Sequence, residues 1–151
     1  MAIQASAAVY DPATDFSASL NPNGVWSYGY SLTLGGSQVP FGDRLNNNGA
    51  DVWFTELSSE HNRVPCIFHN PTTGVVALGP TLTPLANPGG LALHPGQHDE
   101  FSVLRFTAPA DNQYSIAGLF FGMDIFATSV ICADRNLDCR RALGRRRGVW
   151  Q

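Results

Sequence analysis

What most constrains this chain is its punctuation. Turn-forming clusters recur along it: Gly35-Gly36, "RLNNNG" (44–49), "NPTTG" (70–74), Pro95-Gly96 and "PADN" (109–112). Such residues supply the unusual φ angles and local side-chain hydrogen bonds that reverse a backbone. The runs between them are short and alternate in character, a period of two that suits half-buried strands. In "VWSYGYSLTL" (25–34), Trp26, Tyr28 and Tyr30 fall on one face. In "EFSVLRFTA" (100–108), Phe101, Val103 and Arg105 share one face and Ser102, Leu104 and Phe106 the other. Further strands are predicted over "ADVWFTEL" (50–57), "VPCIFHN" (64–70), "GVVALG" (74–79) and "QYSIAGLFFGMDIF" (113–126), with "NPTTG" as a hairpin loop. No 3.6-residue period persists in this body and no internal repeat is visible. The pattern predicts an all-β fold, an antiparallel β-sandwich or jelly roll.

A chain of 151 residues is long enough to bury one real core. Charged residues make up only 14%, but large apolar side chains are plentiful, which argues against disorder. The longest apolar stretch, "IAGLFFGMDIFATSVI" (116–131), is cut by Gly118, Gly122 and Asp124, so no membrane-spanning helix is expected. Charge divides the chain. Residues 1–131 hold three Arg and ten acids, residues 132–151 six Arg and two Asp, and there is no Lys. An acidic body argues against a nucleic-acid partner. The division suggests a sandwich domain over 9–131. Residues 1–8 read as a signal remnant or an added end, and 132–151 as a basic tail foreign to the domain. A foreign tail leaves the sheet one edge strand short, and an open edge invites a second copy of the chain, a homo-oligomer. The three cysteines, Cys66, Cys132 and Cys139, cannot all pair within the chain. Cys66 reads as a small buried apolar residue. Few thiols, no Lys in the body and the "ASA" near the N-terminus point to export.

Two blocks, "DFSASLNPNGVWSYGY" (15–30) and "LALHPGQHDEFSVLRFTAPADNQYSIAGLFFGMD" (91–124), resemble a β-sandwich domain of exported bacterial surface proteins. Many of these carry a C-terminal sorting tail of the PEP-CTERM type. The resemblance covers most of residues 9–124 and is lost after Asp124. It implies a secreted or cell-surface location and a surface or matrix role. The segment "FTAPADNQYSIAG" (106–118) also resembles the strand–turn–strand of jelly-roll ligand-binding domains.

Two function classes follow. The first is a non-catalytic module that binds a glycan or another small-molecule ligand. Trp26, Tyr28, Tyr30 and Trp53 are its candidate stacking rings, although the same alternation also suits a core. Arg105, a charge inside a strand, either pairs with an acid such as Glu56 or holds an anionic ligand. The second class is a small metal-dependent hydrolase acting on esters or phosphoesters. His61, His69, His94 and His98 are its candidate ligands, for Zn or another transition metal. Asp99 and Glu100 are its candidate base or further ligand, since a bound water of lowered pKa becomes a nucleophile near neutral pH. Asp15, Asp43, Asp51 and Asp124 are weaker candidates for Ca²⁺, without the EF-hand spacing. No Gly-x-Ser-x-Gly supports a serine nucleophile. His94 and His98 sit on a strand-end loop, where sandwiches place their sites.

Overall fold

The computed structural model describes residues 8–57, 63–78 and 85–118. These form an all-β structure with nine strands, all paired antiparallel, and no helix among the described residues. The strands are β1 (Trp26–Ser31), β2 (Val39–Pro40), β3 (Asp43–Asn47), β4 (Ala50–Phe54), β5 (Cys66–His69), β6 (Val76–Ala77), β7 (Leu85–Ala86), β8 (Leu91–His94) and β9 (Phe101–Phe106). One sheet runs β2-β1-β9, the second β3-β4-β5-β8, and β6 and β7 form a small third ribbon.

The alternation read from the sequence decides which way each strand faces. On β1, Trp26, Tyr28 and Tyr30 turn inward and lie opposite Phe106, Leu104 and Ser102 of β9. Cross-strand partners share a face of the sheet. Tyr28 meets Trp53 of β4, Ile67 of β5 and Phe41 in one cluster between the two large sheets, with Phe16, Trp26, Tyr30, Leu91 and Leu104 around it. The opposite face of the four-stranded sheet is also covered. There Ala50, Val52, Phe54, Cys66, Phe68 and Ala92 pack with Val76 and Ala86 of the small ribbon. β5 is thus buried on both faces, which explains its unbroken apolar run Cys66-Ile67-Phe68. Burying each large side chain of these clusters contributes about 1.5–3 kcal/mol.

Local chemistry sets the corners. β3 and β4 are joined by a two-residue turn, Asn48-Gly49, between the paired Asn47 and Ala50. Both turn residues have positive φ, 53° and 100°, the requirement of the tight turn that suits twisted strands. The sequence marked this segment as turn alone. The structure adds that Asp43–Asn47 pairs with β4 as a strand.

The "NPTTG" hairpin does not form. β5 pairs with β4 and β8, and β6 pairs with β7. The reason lies in Asn70, which is fully buried. Its Nδ2 donates to the carbonyls of Gly74 and Ala86, both at 2.8 Å, and its Oδ1 accepts from the Thr72 backbone N–H at 2.9 Å. Its own N–H donates to Gly90 O, and its carbonyl accepts from Gly89 N. This residue binds the chain leaving β5 to the chain entering β8, so the two strands become neighbours. Among the described residues 74–78 of the strand expected over 74–79, only Val76–Ala77 forms a strand, and residues 113–118 of the one expected over 113–126 are not in a strand. Residues 119–126, like the 132–151 tail, lie outside the described residues.

Candidate functional site

The stretch from Leu91 to Phe106 is a corner that carries the chain from one sheet to the other. β8 belongs to the four-stranded sheet and β9 to the three-stranded sheet. Ser102 pins the crossing. Its hydroxyl lies 3.0 Å from the Cys66 carbonyl and also within hydrogen-bonding distance of the His94 carbonyl.

The loop between the strands, Pro95 to Glu100, is held from inside by its last residue. Glu100 is 7% exposed. Its carboxylate Oε2 accepts the His98 N–H at 2.9 Å, and its carbonyl accepts the Gly96 N–H at 2.8 Å. Only glycine fits at 96. A Cβ there would collide with the Glu100 carboxylate oxygen and lie 2.8 Å from Glu100 Cβ. Asp99 takes a left-handed conformation, φ 67°, which Asp tolerates better than most residues. This geometry leaves His94, Gln97, His98 and Asp99 exposed on a short clamped loop. The His94 Nδ1 meets the Pro95 carbonyl at 2.6 Å. The His98 Nδ1 stands 4.0 Å from Glu100 Oε1.

The three described histidines, His69, His94 and His98, do not gather into one centre. Cys66 lies opposite His94 and His69 opposite Leu91 in the β5–β8 ladder. His69 and His94 are therefore three residues apart along the ladder, about 10 Å, and an odd step puts them on opposite faces. His69 faces the inter-sheet core, its ring 5.1 Å from that of Phe16. Burial lowers its pKa, opposed by the charges of Asp51 and Asp11. His61 lies outside the described residues. No group of three or more His, Cys, Asp or Glu side chains close enough to hold a metal ion exists among the described residues. β5 and β9 lie in different sheets, so the strands that carry His69 and follow Glu100 do not pair.

The acids considered for Ca²⁺ are likewise dispersed. Asp15 Oδ2 accepts the Trp26 Nε1–H at 3.1 Å, Asp51 Oδ1 accepts from Asn46 Nδ2 at 3.0 Å, and Asp43 opens β3. Asp124 lies outside the described residues. The nearby Asp11 carboxyl is held below the ordinary carboxylate range chiefly by the Ala13 backbone N–H.

Two of the four aromatic candidates, Tyr28 and Trp53, belong to the core. Tyr28 is 0% and Trp53 6% exposed. The N-terminal segment caps them. Trp53 Nε1 donates to Ser17 O at 2.7 Å, Ser17 N–H donates to Tyr28 Oη at 3.4 Å, and the Phe16 ring lies 4.8 Å from that of Tyr28. Buried Trp and Tyr need partners for their polar tips, and residues 15–17 supply them. Trp26 and Tyr30 are half-buried, packed on Phe106 and Phe41. Two of the four rings therefore offer no face to solvent. Arg105 stands exposed on the outer face of β9, opposite Ser27. Cys66 is buried, and burial pushes its thiol pKa up to about 12, which leaves it without thiolate character at neutral pH.

Reading the sequence for metal ligands passed over Gln97, which shares the exposed loop. The signal was present: three successive polar residues, Gln97 to Asp99, between a Pro-Gly turn and a strand. The chain matches no protein-family model, no curated protein and no solved structure.

Proposed function

We propose that this chain is a non-catalytic ligand-binding module of an exported surface protein, with its binding face on the β8–β9 corner. One observation carries the reading. Glu100 fixes the backbone of residues 96–98 from the inside, while His94, Gln97, His98 and Asp99 remain exposed. A loop whose conformation is fixed before binding loses less entropy when it meets a ligand. Its side chains offer imidazole, amide and carboxylate groups, a set suited to the hydroxyls of a glycan. Export rests on the resemblance of the two blocks described above and on the scarcity of thiols in the body.

The test is a titration of the labelled protein with a panel of neutral and uronic-acid polysaccharides, followed by amide NMR shifts. Saturable shifts at residues 94–99 are expected with at least one of them, weakened about tenfold or more, about 1.4 kcal/mol, in a His94→Ala/His98→Ala double variant. Absence of any shift at the corner across the panel, or binding unchanged by the double substitution, refutes the reading.

A further inference from the structure

From Phe16 to Gly42 the sequence holds no charged residue. Within this stretch the chain leaves β1 and returns as β2, and the loop between them is apolar and exposed. Leu32 is 68% exposed, Leu34 47% and, at the root of the loop, Val39 45%. Single exposed leucines are ordinary on a protein surface. Three large apolar side chains between residues 32 and 39, with no charge among them, form a patch.

The exposure is built into the backbone. Gly36 N–H donates to Thr33 O at 3.0 Å, closing a turn with Leu34 at its tip. Gly35 takes φ 70°, the positive angle that the second central residue of a type II turn requires. Ser31, itself buried, donates from Oγ to the Thr33 carbonyl at 2.7 Å and accepts the Thr33 N–H at 3.4 Å. Only glycine fits at 36, because a Cβ there would collide with the side chains of Thr33 and Ser31. The loop's own hydrogen bonds thus hold the turn that presents Leu34, with Leu32 beside it.

The register places this tip at the same end of the sandwich as the β8–β9 loop. Ser31, the last residue of β1, lies opposite Phe101, the first of β9, so residues 32–38 depart where residues 95–100 arrive. Together the two loops carry two carboxylates, Asp99 and Glu100, and no Arg or Lys. We infer that Leu32 and Leu34 insert into the interface of a lipid surface with uncharged headgroups, with Val39 at the boundary. Two observations choose this occupant. The exposed parts of three side chains fall far short of the ~800 Å² that each partner buries in a stable protein interface. A lipid surface needs no such area, since an apolar tip can enter the acyl boundary while polar neighbours stay among the headgroups. The carboxylates beside the tip repel anionic headgroups, which attract basic segments, and so favour uncharged ones. The inference stands whether or not the corner binds a glycan.

The experiment is flotation of the full chain with phosphatidylcholine vesicles. A single myristoyl chain binds bilayers with an association constant of about 10⁴ M⁻¹. The tip inserts less apolar surface, so half of the protein is expected to float at about millimolar lipid. A Leu32→Asp/Leu34→Asp variant is expected to lose about tenfold or more in binding, and addition of phosphatidylglycerol to leave the binding of the unaltered chain no stronger. In phosphatidylcholine bicelles doped with a lipid spin-labelled at the headgroup, the amides of residues 32–36 are expected to broaden before those of β5. Absence of flotation at millimolar lipid overturns the inference, as does binding undiminished in the double variant or seen only with anionic vesicles. Self-association that the double substitution abolishes, without vesicle binding, also overturns it and assigns the tip to a second copy. Should the double variant unfold, flotation and the broadening pattern of the unaltered chain decide the matter alone.

Discussion

The side chain of Asn21 closes both backbone hydrogen bonds of Tyr28. Asn21 Oδ1 accepts the Tyr28 N–H at 2.9 Å, and Asn21 Nδ2 donates to the Tyr28 carbonyl at 2.8 Å. The same Nδ2 reaches the Phe41 carbonyl at 3.0 Å. One amide side chain thus does the work of a strand residue beside β1. It sits where the two-residue β2, paired at Gly29 and Tyr30, has ended. The ring that anchors the inter-sheet core is held by its backbone as well as by its packing.

Replacing Asn21 by Ala strands the N–H of Tyr28 inside the protein and removes a donor from two carbonyls. Leaving a buried polar group unsatisfied costs about 1–3 kcal/mol. The expected loss is about 2–3 kcal/mol in urea unfolding followed by tryptophan fluorescence. Asn21→Asp, which keeps an acceptor for Tyr28 N–H but no donor, falls between. A loss in Asn21→Ala below about 0.5 kcal/mol, the usual scale of surface substitutions, contradicts this account.

Gly96→Ala tests the clamp beneath the exposed loop. The added methyl displaces the Glu100 carboxylate from the position where it accepts the His98 N–H. Overpacking of this kind costs about 1–3 kcal/mol. The His98 amide is expected to exchange faster, and any polysaccharide bound at the corner to bind less tightly. Glu100→Gln retains an acceptor and is expected to keep most of the His98 protection. Equal loss in both variants sinks the idea that an acceptor at this point orders the loop.

His69 makes stability depend on pH in a stated direction. Burial depresses its pKa below the ordinary 6.5, so the folded protein prefers the neutral ring. As pH falls below about 6.5, the unfolded state takes up the proton first and is favoured. The contribution is complete above that value and declines as the solution is acidified. Asp11, whose pKa is also lowered, withdraws stability in the same direction but only as pH falls through the range near and below 3.8. The urea midpoint is therefore expected to drop between pH 7.5 and 5, and to drop less in His69→Gln. An unchanged slope in that variant rules out His69 as its source.

Much of the architecture was legible along the chain. Alternation in "VWSYGY" and "FSVLRF" sorted the residues of β1 and β9 onto two faces, and the register with the core shows which of the two faces is inward. The Asn-Gly pair at 48–49 marked a turn, because few other residues accept positive φ twice in succession, but not the strand Asp43–Asn47 that makes it a hairpin. Less of the candidate site was legible. Four histidines in two sequence pairs suggested a metal centre, but nearness along the chain does not place side chains together. His69 and His94 point to opposite faces of the same sheet.

The sequence by itself determined that this protein is all-β, which residues share a face in its β1 and β9 strands, and where several of its corners lie. These are local properties, set by a period of two and by residues that tolerate particular backbone angles. Only the tertiary structure decided that β5 pairs with β8 rather than β6, that Tyr28 and Trp53 are sealed by residues 15–17, and that Glu100 supports the loop from within. A strand's alternation specifies its face and says nothing of its neighbour. The neighbour was selected by contacts distant in sequence, among them the buried amide of Asn70 and the Ser102 hydroxyl shared between two carbonyls of the facing sheet.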